Sequence, residues 1–150
     1  MIDLAGEFEA VISALTHDGI DYAVCGGLAM AIHGLARATI DIDILVRPED
    51  EERIYAAVEP LGFRLRAAPM HFDGGKMEIR RVTKLVPGDA LMLDLLLVTP
   101  AFENVWRDRA IIDSELGSIS VVSRRGLVEL KSGRMSGVDQ DDIKRLLDED

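Results

Sequence analysis

Leu91-Met92-Leu93-Asp94-Leu95-Leu96-Leu97-Val98 is a continuous apolar run broken once, by an acid. A run of this length without alternation reads as a central strand covered on both faces. It commits the chain to a layered architecture, because such a strand has to be buried from two sides. It also poses an electrostatic problem. An isolated carboxylate in an apolar strand costs roughly several kcal/mol unless it is paired or bound to a cation. Asp94 therefore either takes a backbone donor or an arginine, or serves as a metal ligand.

A second acidic stretch poses the same problem. Ile40-Asp41-Ile42-Asp43-Ile44 alternates strictly, which is a strand signal. Alternate side chains of a strand share a face, so Asp41 and Asp43 are expected on one side and the isoleucines on the other. Two ionised carboxylates side by side raise each other's pKa. Either water solvates them on an exposed face, or a divalent cation relieves the conflict. Their hard oxygens suit Mg²⁺, which keeps waters and takes substrate phosphates as further ligands. A calcium loop does not fit, since Leu45 and Val46 stand where that loop needs a ligand and a glycine.

Upstream, Tyr22 to Cys25 is a short apolar strand that runs into Gly26-Gly27. An alanine-rich helix is expected from about Leu28 to His33, ended by Gly34. A glycine pair feeding a helix presents free backbone N–H groups and suits an anion such as phosphate. Arg37 and Thr39 lie just ahead of the acidic strand. Arg37 either binds phosphate bidentately or pairs with one of the aspartates. His33 reads as a packed residue.

The remaining elements follow from local signals. Asp3 caps a helix whose Leu4, Phe8, Val11, Ile12 and Leu15 recur at helical spacing, and Gly19 stops it. Pro48 opens a helix over 49–59 with Ile54, Ala57 and Val58 inward. Phe63 to Arg66 is a strand, and Ala67 to Lys76 reads as a loop carrying His71 and Asp73. Met77 to Leu85 is a strand, and Pro87-Gly88-Asp89 turns into the strand of Asp94. Pro100 to Arg107 is a short helix. Ile111 to Glu115 and Ser118 to Val122 form a hairpin. Ser123 caps a helix with Leu127, Val128 and Leu130 inward and Lys131 at its end, and Asp139 caps a last one containing Ile143, Leu146 and Leu147.

Interspersed strands and helices predict a mixed α/β (α+β) chain, with a mixed sheet and helices mainly on one face. Its 150 residues are the size of a single domain, 1–150, with no repeat and no dividing linker. No apolar run is long enough to span a membrane, and the N-terminus lacks the basic and apolar segments of a signal peptide. Cys25 is the only cysteine, so no internal disulfide forms. The expectation is a soluble, cytoplasmic protein. A formal net charge of −10 argues against broad binding to a nucleic-acid backbone. The clusters Arg64, Arg66, Arg80, Arg81, Lys84 and Arg124, Arg125, Lys131, Arg134 leave room for local recognition, or are solvated surface.

Glycine pair, thirteen residues, Asp-x-Asp in a strand, then an acid in an apolar strand is a pattern that resembles the nucleotidyltransferase superfamily with the polymerase-beta catalytic fold. Within it the chain is most similar to the small bacterial branch that holds lincosamide nucleotidyltransferases and abortive-infection toxins. The resemblance rests on Gly26-Gly27-Leu28-Ala29, on Arg37-Ala38-Thr39-Ile40-Asp41-Ile42-Asp43, and on Leu130-Lys131, Arg134 and Asp139-x-x-Asp142-Ile143. Many members have a serine directly after the glycine pair; this chain has Leu28.

The resemblance implies a mixed sheet of nucleotidyltransferase type and a metal-dependent reaction using one or two Mg²⁺ ions. It implies that Asp41 and Asp43 hold the metal carrying a nucleoside triphosphate. Asp94 would complete a second metal site and act as base or orient the attacking hydroxyl. Gly26 and Gly27 would hold the triphosphate through backbone N–H groups, with Arg37, Thr39 and Lys131 as further nucleotide contacts. The product would be a nucleotidylated acceptor plus pyrophosphate, with AMP from ATP moved to a hydroxyl of a small molecule, as in antibiotic modification. Two other readings stay open: a toxin or defence enzyme acting on tRNA or a partner protein, and a nucleotide-binding module without catalysis. A homodimer that builds the acceptor site between subunits belongs with the small-molecule reading.

Overall fold

A computed structural model of the chain describes residues 2–35, 40–114, 117–132 and 143–147. Helix α1 (Leu4–His17) starts where Asp3 accepts a hydrogen bond from the Gly6 N–H at 3.1 Å. That bond satisfies one of the donors a helix N-terminus leaves over. Its Phe8, Val11, Ile12 and Leu15 are buried, the stripe that the spacing predicts. Strand β1 (Ala23–Cys25) leads directly into α2 (Gly26–Ile32), which begins at the glycine pair and not after it. Strand β2 (Ile42–Val46) carries Asp43. A 3-10 turn at Pro48–Asp50 then feeds α3 (Glu51–Val58), whose inward residues are Ile54, Tyr55 and Val58.

Strands β3 (Phe63–Arg66), β4 (Met70–Phe72), β5 (Met77–Val86) and β6 (Asp89–Leu97) follow. After a 3-10 turn at Pro100–Phe102 come α4 (Glu103–Arg107), the hairpin β7 (Ala110–Ser114) and β8 (Gly117–Val121), and α5 (Arg124–Ser132). Ser123 caps α5, accepting from the Gly126 N–H at 3.0 Å. A helical segment over 143–147 buries Leu146 and exposes Leu147. Among the described residues no helix is long and apolar enough to cross a membrane.

The sheet runs β3-β5-β6-β2-β1-β8-β7, with β4 also paired to β5. It is mixed. β2 with β6 and β1 with β8 are parallel, and the other pairs are antiparallel. The apolar run is the middle of it, since β6 lies between β5 and β2 with Leu93, Leu95, Leu96 and Leu97 all buried. Each such leucine contributes about 1.5–3 kcal/mol relative to an exposed one. This is the mixed sheet with packed helices that the patterning predicts.

Two expectations need correction. The stretch 67–76 is not all loop: β4 pairs with the start of β5, Met70 opposite Ile79, because ten-residue β5 outlasts its pairing with β3. The alternating Ile40 to Ile44 stretch becomes strand only from Ile42. β1 ends at Cys25 opposite Asp43, and pairing with β6 begins at Ile42 opposite Leu93, so Ile40 lies ahead of the paired stretch on both sides. Ile40 is 76% exposed as a result, not turned inward. In α3, Ala57 packs half-buried against the core as expected, and Tyr55 is buried beside Ile54 and Val58.

Tyr55 offers a test of this packing. Its hydroxyl donates to Glu51 at 3.1 Å and the Arg66 guanidinium lies 3.9 Å from its ring centre. Burial, then the Glu51 charge, pushes the phenol up to about 12. A raised phenol favours the neutral form in the folded state. The stability it contributes is complete below the ordinary tyrosine range and is lost as pH rises toward 12. Tyr22, the other tyrosine, is also raised by burial. Phenolate absorbance of the native protein should lag that of the unfolded chain, and Tyr55→Phe should remove the step near pH 12. A native titration that overlays the unfolded one would contradict this packing.

Candidate active site

The registers of four neighbouring strands place one residue from each in a row across one face of the sheet. Cys25 of β1 stands opposite Asp43 of β2, Asp43 opposite Asp94 of β6, and Asp94 opposite Arg81 of β5. Registered partners point to the same face, so Asp43, Asp94 and Arg81 share it. Asp41, two residues before Asp43, lies just ahead of β2 and is half-buried. Its charge and that of Asp43 both reach Arg81. The Arg81 guanidinium is raised above its ordinary value first by its hydrogen bonds to Asp94 and then by the charges of Asp94, Asp41 and Asp43.

Asp94 is buried, as a residue of a central strand must be. It is satisfied by a bidentate pair: Arg81 Nε donates to Oδ1 at 2.8 Å and Nη2 to Oδ2 at 2.9 Å. An arginine is among the partners that the sequence leaves open for Asp94. The Asp94 side chain is 8% exposed and that of Arg81 33%. Removing one member of a buried pair costs about 3–5 kcal/mol, because the other charge stays behind without its partner.

Gly26 owes its identity to Asp43. Its φ is +65°, and a Cβ built on it would run into the Asp43 carboxylate, with the Asp43 Cγ only 2.8 Å away. The glycine lets the carboxylate lie directly against the start of α2. Gly27 is buried in the first turn of that helix, and Leu28 after it is half-buried. Cys25 is a buried thiol.

Lys131 closes the arrangement. Leu127, Leu130 and Lys131 of α5 are three and four residues apart, so they share one helix face. All three are buried, and together with Cys25, Gly26, Asp43, Met77 and Leu96 they line one narrow cleft. The helix lies over the acid-bearing face of the sheet, which brings a buried lysine into the cleft that holds Asp43. Sequence spacing leaves Lys131 at the helix end; the structure turns it inward. Arg37 and Thr39 lie outside the described residues, as do Arg134, Asp139 and Asp142. His33 is a packed residue, its Nε2 2.8 Å from the Val122 carbonyl. His71 pairs with Glu78 at 3.2 Å on the β4–β5 hairpin.

The donor set can be tested against a divalent cation. Carboxylate oxygens of Asp41 and Asp43 are the hard ligands such an ion takes, and Gly26 leaves space for the Asp43 carboxylate beside the helix start. Among the described residues, however, no three acidic, histidine or cysteine side chains are grouped to cage an ion as they stand. Both oxygens of Asp94 are held by Arg81. The residues present fit one ion held by Asp41 and Asp43, with waters and phosphate oxygens completing its shell. Arg81 is the site residue that sequence reasoning misses, having grouped it with surface bases.

The Gly26–Asp43 contact predicts a specific coupling. Gly26→Ala should destabilise the fold by about 2–4 kcal/mol, from the left-handed backbone and the displaced carboxylate together. Adding Asp43→Ala removes the carboxylate part of the collision but leaves the Cβ at position 43, 2.9 Å away, and the backbone strain. Urea unfolding of the single and double variants should show the double less destabilised than the sum, by about 0.5–3 kcal/mol. Strict additivity would mean that the glycine is not shaped around Asp43.

No protein-family profile matches the sequence, and no curated protein does. Solved structures do match. A candidate nucleotidyltransferase from Thermotoga maritima superposes with a TM-score of 0.62 at 15% identity, over 100% of this chain and 97% of its own. ANT(2'')-Ia in complex with adenylyl-2''-tobramycin gives 0.58 at 13% identity, over 91% of this chain and 83% of that one. The solution structure of the antibiotic-resistance factor ANT(2'')-Ia gives 0.58 at 17% identity, over 97% and 83%. At these identities the likeness is one of architecture: the chain has the fold seen in nucleotidyltransferases.

Proposed function

We propose that the chain is a nucleotidyltransferase that moves a nucleoside monophosphate, AMP from ATP, to a hydroxyl of a small molecule. The observation that carries this reading is the row of Asp43, Asp94 and Arg81 across the central strands, with Asp41 beside it and Lys131 facing Asp43 across a cleft. Charged side chains in the middle of a buried sheet cost stability, and a triphosphate with its cation gives them a use. In the reaction an acceptor hydroxyl oxygen bonds to the α-phosphorus, the bond from that phosphorus to the bridging oxygen breaks, and pyrophosphate leaves with that oxygen.

Asp41 and Asp43 are the residues to hold Mg²⁺. Bound there, the ion supplies charge stabilisation at the attacking and leaving oxygens. Lys131 is placed to meet a phosphate, and the start of α2 at Gly26 and Gly27 lies beside Asp43 to receive another. Asp94, opposite Asp43, is the carboxylate to orient the acceptor hydroxyl and take its proton. The protein's task is then chiefly positioning. The net charge of −10 suits a positively charged small acceptor better than an RNA, and the fold is shared with an enzyme whose structure holds an adenylylated antibiotic. One observation favours the reading without catalysis: both Asp94 oxygens are engaged by Arg81.

A melting-temperature titration with ATP, GTP, CTP and UTP, with and without Mg²⁺, tests the donor site. A native-state ligand at a hundred times its Kd stabilises by about 2.7 kcal/mol. ATP with Mg²⁺ should raise the melting temperature of the wild type and leave Asp43→Asn unmoved. Pyrophosphate released on adding hydroxylated amines would separate enzyme from binding module. If no triphosphate stabilises the wild type with or without the metal, the nucleotidyltransferase reading falls.

A further inference from the structure

Arg81 feels the charges of all three acids, yet it grips one of them with both arms of its fork. It engages the carboxylate opposite Asp43, in the middle of the sheet, and leaves a third of its own side chain open to solvent. An arginine fork matches a phosphate as well as it matches a carboxylate. A cation at Asp94 and the guanidinium of Arg81 compete for that carboxylate, because two positive charges on its oxygens repel each other.

We propose that Arg81 is a positioning residue that stands in for a cation at Asp94 in the nucleotide-free protein, and passes from that carboxylate to a phosphate when the metal–triphosphate enters. This deepens the function proposed above and rests on it. With Arg81 in place the Asp94 charge is tolerated in the core of the sheet. Once Arg81 lets go, Asp94 joins Asp43 in facing an incoming ion, and the released guanidinium meets the triphosphate. The exchange makes the site compatible with folding when empty and with metal when loaded, and it links metal binding at Asp94 to the arrival of nucleotide.

The test is Mn²⁺ binding to the full chain, followed by the electron-paramagnetic-resonance signal of free Mn²⁺, with ATP affinity measured separately in metal-free buffer. Without nucleotide, Arg81→Gln should bind Mn²⁺ about tenfold or more tightly than the wild type, because a unit positive charge has left the ligand set. Asp94→Asn added to Arg81→Gln should cancel that gain. The same Arg81→Gln should bind metal-free ATP more weakly than the wild type. Effects of opposite sign on cation and anion are not what a mere packing defect produces, since that would weaken both. Arg81→Lys, whose ammonium holds one oxygen at a time, should fall between, and it serves if Arg81→Gln does not fold. Mn²⁺ affinity in both variants equal to or below that of the wild type would overturn the inference while leaving Asp43-dependent binding of Mg–ATP intact. Failure of every form to bind Mn²⁺ or ATP in an Asp43-dependent way would overturn both.

Discussion

Asp94 and Arg81 form the interaction on which the rest of this structure depends. The strand that carries Asp94 is buried from Leu93 to Leu97 and pairs on one side with a second acidic strand. Two carboxylates in register on adjacent parallel strands would repel across a distance at which water cannot screen them well. The bidentate guanidinium bond, at 2.8 and 2.9 Å, offsets that repulsion and the cost of removing Asp94 from water. It does so from the third strand in line, so the pair also pins the β5–β6 register. A slip of one residue would turn Arg81 to the other face and leave the carboxylate buried with nothing to meet it.

Much of this was legible in the residues. The unalternated run from Leu91 to Val98 marked the central strand, and Asp94 within it marked a charge that had to be met. The Gly-Gly pair, the Asp-x-Asp strand and the order of the three motifs pointed to the architecture found. Asp3 and Ser123 announced two helix starts through capping chemistry alone. What was missed is instructive because its signal was present. Val86 and Asp89 face each other across the Pro87-Gly88 turn. A two-residue hairpin fixes the register of its arms, so stepping five residues back along one arm and five forward along the other places Arg81 opposite Asp94. Counting basic residues as surface clusters hid what counting from the turn would have shown.

Other features were not available from sequence at all. Alternation in Ile40 to Ile44 is a strand signal, but alternation does not mark where pairing starts, and here both ladders of β2 begin after Ile40. Lys131 follows three apolar inward positions of its helix, and a lysine there is expected to reach solvent. Its burial depends on where α5 lands on the sheet, which is settled by contacts far apart in sequence. Gly126 shows one of them: a Cβ there would meet Val122 Cγ1 at 2.7 Å and Val105 Cγ1 at 3.0 Å. The glycine thus lets α5 sit close against α4 and the end of β8.

Gly26 and Gly126 therefore act in concert although a hundred residues of unrelated sequence separate them. One lets a carboxylate lie against the beginning of α2; the other lets a helix approach closely enough to carry Lys131 into the same cleft. At Gly26 an added methyl group would meet the Asp43 carboxylate, and at Gly126 it would meet Val122 and Val105. A cleft built this way is narrow because backbone, not side chain, forms part of its wall. That geometry suits a ligand recognised through main-chain N–H groups and a few fixed charges, as phosphates are. Its remaining wall is apolar, from Met77, Leu96, Leu127 and Leu130, but the cleft is too narrow to hold a large acceptor. Under the proposed function the acceptor would be read elsewhere, from the open surface beyond the cleft, since function resides in sites grafted on a fold and not in the fold itself.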